Sequence, residues 1–247
     1  MNPRKPILIE VAIETPGDAV AAQSGAADRL ELCSALDLGG LTPTIGTYLE
    51  VRAKTRLPVF VMIRSRGGDF VYSESEIAVM LRDVELFLPH HPDGFVFGAL
   101  QPTGQIDVAN CAEFLLRAGG KPCVFHRAFD RTPDARDALE QIIALGFKRL
   151  LTSGRERLAL TGSPEIAKLV KLADNRIEIL PCGHVRAKSA VEIIKLTDCT
   201  QIHASFAEPI PEHTGRGYRG YTQRCRTSGS ELIATRQVLD MYSLGLD

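Results

Sequence analysis

Residues 7–33 read ILIEVAIETPGDAVAAQSGAADRLELC, and this stretch decides the fold. Ile7 to Ile13 is apolar and β-branched apart from Glu10, and it is too short for an ordinary helix, so it reads as a strand. Thr15-Pro16 then opens a helix: a threonine hydroxyl can cap the first free N–H groups, and a first-turn proline lacks the N–H that would go unused there. Gly25 punctuates the return, and Arg29 to Cys33 reads as a second strand. Strand, helix and strand in one short run form a βαβ unit, whose two strands must be parallel.

The same rhythm recurs along the chain. Further strands are read at Val59 to Arg64, Gly94 to Leu100, Val124 to Phe129, Arg149 to Ser153, Ile177 to Pro181 and Gln201 to Ser205. Ser73 with Glu76 has the spacing of a capping box, and Thr132-Pro133 and Ser163-Pro164 place proline at first-turn positions. Gly119-Gly120 and Gly146 mark later returns. Eight units of roughly 30 residues predict a single closed (β/α)8 barrel. The domain is expected to span residues 1–247: eight units over 7–206, a Pro-, Gly- and Arg-rich loop over 207–229, and a final helix over about 230–243. An open doubly wound sheet would carry a glycine-rich phosphate turn after an early strand. Neither GxGxxG nor GxxxxGKS is present, and no nucleotide cofactor is expected.

Composition narrows the function classes. The 247 residues are 45% hydrophobic and 24% charged, enough for a sizeable core, and the formal net charge is -1. With no Lys/Arg block and no tryptophan, a nucleic-acid groove is not expected. The longest apolar runs, Pro58 to Ile63 and Gly94 to Leu100, fall short of the ~20 residues that cross a bilayer. The N-terminal residues lack a signal region, so a cytoplasmic protein with no membrane partner is expected. Six cysteines (33, 111, 123, 182, 199, 225) show no CxxC spacing, which argues against a disulfide framework or a structural zinc and predicts mostly buried thiols.

In a parallel barrel, function gathers where strands end and βα loops begin. Polar residues fall there: Glu10, Glu31 and Cys33, Arg64 and Arg66, His126 and Asp130, Thr152 and Ser153, and His203 with Ser205. Strand alternation gives Glu31 and Cys33 one face, and likewise His126 and Asp130, and His203 and Ser205, so each pair is expected to point into a common cup. Glu10, Glu31, His126 and Asp130 are the acid–base candidates, with Glu31 or His126 foremost. Arg64, Arg66, Ser153, His203 and Ser205 are candidates for holding a small anionic metabolite during proton transfer or bond cleavage beside a carbonyl. The structural alternative is that Glu10, Glu31, Arg64 and His126 pair with one another as a capping layer of the barrel core.

At these residues the sequence resembles the CutC family, named for copper homeostasis, over about residues 7–206. The resemblance rests on Glu31 to Leu36 with Gly39-Gly40-Leu41-Thr42-Pro43, on Val61 to Arg64 with Arg66 to Phe70, on Phe125 to Asp130, on Leu151 to Gly154, and on Ile202 to Ser205. It departs at Ser65, where the family usually has proline, and at Cys182-Gly183-His184, where it has a glycine-rich stretch. The resemblance implies a cytoplasmic, homo-oligomeric barrel that handles copper. Cu(I) favours thiolate and thioether ligands, which makes Cys33, Cys182 and Met62 candidates, with His184 or His203 in support. Cys33, Cys182 and His184 form the expected metal set; three interstrand steps of ~4.8 Å place the rim ends of the two cysteine strands roughly 14 Å apart, so an ion shared by both cysteines would need large loop excursions.

Overall fold

The structure is a computed structural model that describes residues 5–211 and 224–246. Eight parallel strands alternate with helices: β1 (Leu8–Ile13), α1 (Pro16–Ser24), β2 (Arg29–Leu32), α2 (Ile45–Lys54), β3 (Val59–Met62), α3 (Glu74–Phe87), β4 (Gly94–Phe97) and α4 (Val108–Arg117) form the first half. The second half is β5 (Cys123–Phe125), α5 (Ala135–Leu145), β6 (Arg149–Thr152), α6 (Ala159–Ala173), β7 (Glu178–Pro181), α7 (Ala187–Thr197) and β8 (Gln201–Ala204). Backbone ladders run β7-β6-β5-β4-β3-β2-β1-β8. The remaining seam, between β7 and β8, is crossed by the Gln201 side chain, whose Nε2 donates to Glu178 Oε2 at 3.3 Å and to the Ile179 carbonyl at 3.5 Å. This is the (β/α)8 barrel that the recurring βαβ units predict.

Strand alternation divides the core in two. Outward residues such as Ile9, Val11, Leu30, Val61, Phe97 and Ile202 join the helices in one large apolar cluster. Inward residues Cys33, Phe60, Met62, Val96, Val124, Leu151, Leu180 and Cys182 form a second cluster that fills the barrel lumen. Among the described residues no helix is long and apolar enough to cross a membrane.

Several local expectations need correction. β1 and β7 end where read, at Ile13 and Pro181, whereas the other six strands stop one to four residues earlier than their runs, because the backbone leaves the ladder as the βα loop begins. Pro133 precedes the helix instead of opening it: Asp134 is the cap of α5, accepting from Arg136 N at 2.8 Å and Asp137 N at 2.9 Å. Ser163-Pro164 lies inside α6, which begins at Ala159. Tertiary contacts pull that start back, since Ala159 N donates to the Gly183 carbonyl at 2.9 Å. In the stretch expected to be loop, β9 (Ala207–Pro209) pairs antiparallel with β10 (Cys225–Thr227) ahead of α8 (Gly229–Leu244). The expected loop residues 212–223 lie outside the described residues.

Candidate functional site

The N-terminal half of the lumen is a charged plug. Glu10 of β1 accepts from Arg29 Nε of β2, and Arg29 also donates to Gln201 Oε1 at 3.0 Å. Across the barrel Arg149 donates to Glu178 Oε2 at 2.8 Å. Phe60 lies between the two guanidinium groups, 5.6 Å from Arg29 and 5.3 Å from Arg149. Arg29, Arg149, Glu178 and Gln201 each begin a strand, so their parity points them inward. The sequence reading missed all four. Their common signal was a polar first residue on the same alternation as Glu10 and Glu31.

From this plug a chain of groups climbs toward the open end. His203 Nδ1 lies 2.8 Å from Glu10 Oε1, and its Nε2 lies 3.6 Å from Glu31 Oε2. Cys33 Sγ donates to the same Glu31 oxygen at 3.6 Å. Glu10, Glu31 and His203 bring three ligand atoms within 4.8 Å of one another. This oxygen–nitrogen set suits a hard cation better than copper(I), and an ion there would have to displace the Glu10–His203 bond. Burial raises the Glu10 carboxyl, but Arg29 and the His203 bond outweigh it and hold the group well below the usual carboxylate range. Glu31 goes the other way: burial, with Glu10 nearby, pushes its carboxyl up. Burial lowers His203, yet Glu31 and Glu10 together leave it raised.

Above the lumen cluster lies a cavity of about 1240 Å³ at the C-terminal ends of the strands. Of the residues singled out from sequence, Glu31, Arg64, His126, Asp130, Cys182, His184, His203 and Ser205 line it, whereas Glu10, Cys33, Arg66 and Ser153 do not. Arg66 is turned to its own loop, paired with Glu76 at 2.5 Å and Asp69 at 3.1 Å. Ser153 lies beneath the rim, donating to Asp130 Oδ2 at 3.0 Å and accepting from Arg127 at 2.6 Å. Cys33 sits behind the Gly39-Gly40 turn. Both glycines have positive φ, and a Cβ at Gly40 would lie 3.1 Å from Cys33 Sγ and 3.5 Å from Met62 Cε. His184 is exposed on the loop after β7.

His126 and Asp130 do not share a strand face, because β5 ends at Phe125 and residues 127–131 wind into a 3-10 turn. His126 caps that turn: its Nδ1 accepts from Ala128 N at 3.2 Å, which assigns the proton of the neutral ring to Nε2. Asp130 fastens the loop after β6, accepting from Thr152 Oγ1 at 2.5 Å and from Arg127 Nε at 2.9 Å. Arg64 donates to the carbonyls of Leu38 at 2.8 Å, Gly40 at 3.2 Å and Gly68 at 2.8 Å. Phe70 packs against both groups, 4.9 Å from the Arg64 guanidinium and 4.9 Å from the His126 ring. Three buried atoms here make no hydrogen bond: Glu31 Oε1, Arg64 Nε and His126 Nε2.

Burial, reinforced by Arg64, drives His126 down to about 3. An unfolded histidine titrates near 6.5, so between pH 6.5 and 3 the unfolded chain binds a proton that the native chain refuses, and stability falls with pH. The raised Glu31 and His203 act with the opposite sign, because the native pair keeps protons that the unfolded chain has released. The His126 share is therefore read as a difference. Moving from pH 6.5 to 5 is expected to cost the parent ~2 kcal/mol more than His126→Asn in urea unfolding. Equal losses would show that His126 is protonated in the native state.

A sequence model of the CutC family matches residues 7–208. A Treponema denticola CutC-family protein is 47% identical over 199 residues, 81% of each chain. The human copper homeostasis protein cutC homolog is 43% identical over 198 residues, covering 80% of this chain and 72% of the human one. A crystal structure of a Streptococcus agalactiae CutC superposes with a TM-score of 0.77 at 34% identity, covering 81% of this chain and 98% of that one. A thiamine phosphate pyrophosphorylase from Pyrococcus furiosus gives a TM-score of 0.61 at 14% identity over 97% and 98% of the two chains, a likeness of barrel alone.

Proposed function

The chain belongs to the CutC family, and from that premise we propose that it is a cytoplasmic copper-homeostasis protein whose barrel takes up Cu(I) as cargo. The observation that carries this reading is the placement of Cys33, Met62 and Cys182 in one inward-facing cluster under the cavity. Thiols and a thioether are the donors that Cu(I) prefers over harder metals. Two of the three, Met62 and Cys182, line the cavity itself, and Cys33 stands one glycine turn behind it. The two cysteines lie far apart along the rim, and alternation turns both side chains inward, into the same apolar cluster. Burial pushes both thiols up, so they stay protonated until a metal displaces the proton. A reducing compartment suits such thiols, which is why the cytoplasm is part of the proposal.

Anaerobic competition against a chromogenic Cu(I) chelator tests the reading. One tightly held equivalent is expected in the parent. Cys33→Ser and Cys182→Ser should each weaken uptake by more than about a hundredfold, since losing a ligand exceeds the 10–100-fold effect of outer-shell changes. Undiminished uptake by the double variant would falsify the assignment.

A further inference from the structure

A metal ion needs only a small part of the cavity. At about 1240 Å³ it is slightly larger than the ~300–1000 Å³ typical of sites that enclose small organic molecules. Its charge is also one-sided. Six arginines line it (64, 127, 131, 155, 157 and 186), against the acidic Glu31, Asp69, Asp130 and Glu156. Asp69 and Asp130 are already paired, with Arg66 and Arg127 respectively. Among the described residues, Arg127 is the only one of the six whose guanidinium has a carboxylate within 4 Å.

Arg64 carries the argument. Its side chain is buried, its residue is 3% exposed, and its guanidinium donates to three backbone carbonyls, with the uncharged Tyr72 hydroxyl beside it. Carbonyl dipoles satisfy the N–H groups of a buried cation but leave its charge without a counter-ion, an arrangement that burial penalises. Its Nε–H remains unpartnered, and so does the Nε2–H of His126, also 3% exposed; Phe70 packs against both side chains. Both residues line the cavity. A buried positive charge and two unused donors are what an oxyanion would complete, with charge-assisted hydrogen bonds among the strongest available.

We propose that the cavity binds a small organic oxyanion, a carboxylate or phosphate ester, held at Arg64 and His126 and attracted by the rim arginines Arg131, Arg155, Arg157 and Arg186. Met62 and Cys182 line the same cavity, but the anion contacts are Arg64 and His126 and not the sulfurs, so a ligand there does not require copper. The arginine rim raises the local anion concentration and makes binding sensitive to salt.

Calorimetric titration of the full chain with pyruvate, inorganic phosphate and glycerol 3-phosphate tests the proposal. Saturable one-to-one binding of at least one probe below about 10 mM is expected, and the arm that binds identifies carboxylate or phosphate as the anionic group. His126→Asn keeps an acceptor for Ala128 N–H, but its shorter amide no longer places an N–H at the Nε2 position, and it should weaken binding about tenfold or more. Arg155→Ala/Arg157→Ala changes only exposed residues and should weaken it and flatten its salt dependence. Cys33→Ser, at a side chain that does not line the cavity, should bind the probe as the parent does, which separates this site from copper uptake. Saturable binding of none of the three probes, or parent-like binding in either His126→Asn or the double arginine variant, overturns the proposal.

Discussion

Glu10→Gln is expected to cost the fold on the order of 3–5 kcal/mol, because removing one partner of a buried ion pair leaves the other charge stranded. Glu10 is 1% exposed and serves both Arg29 and His203. The amide still fills the space, so the loss measures charge more than packing. Adding Arg29→Met removes the stranded cation, and the double variant should recover more than half of the loss. Urea unfolding at pH 7 measures both. A single variant within about 1 kcal/mol of the parent, the range of a surface pair, would show that the plug is not energetically coupled.

Gly162→Ala is the second large effect. A Cβ at Gly162 would lie 1.9 Å from the Ser153 carbonyl oxygen, and one at Gly154 would lie 2.2 Å from the Gly162 carbonyl oxygen. Both obstacles are backbone, so no rotamer change relieves them. The loop after β6 must shift away from α6, and Ser153 goes with it, loosening its bonds to Asp130 and Arg127. Overpacking ordinarily costs ~1–3 kcal/mol; here a loss at or above the top of that range is expected. Thermal unfolding checks the stability, and the anion titration checks the rim. Parent-like melting would mean that α6 can slide without cost.

The barrel was legible because it rests on a pattern repeated eight times, each repeat an apolar run followed by a helix start. The ends of those runs were not. His126 to Phe129 continues the apolar pattern of β5, yet the chain leaves the ladder at Phe125, and nothing local distinguishes a last strand residue from a first loop residue. Parity therefore carried Glu31, Cys33 and His203 correctly into the lumen but misplaced Asp130, which answers to its 3-10 turn. Arg66 resembled Arg64 in sequence and differs from it wholly in space, because Glu76 of α3 claims its guanidinium. That partner lies ten residues away, and loop conformation decides whether the two meet. The rim arginines 155, 157 and 186 were passed over because single arginines in βα loops carry no periodic signal.

The plug of Glu10, Arg29, Arg149, Glu178 and Phe60 makes the barrel a blind well. None of these five residues lines the cavity, so the plug closes its floor toward the N-terminal ends of the strands. Whatever enters must turn back and leave past the same arginines. A well plugged at that end cannot act as a conduit along the barrel axis; whatever binds in it loads and unloads on the side of the C-terminal strand ends.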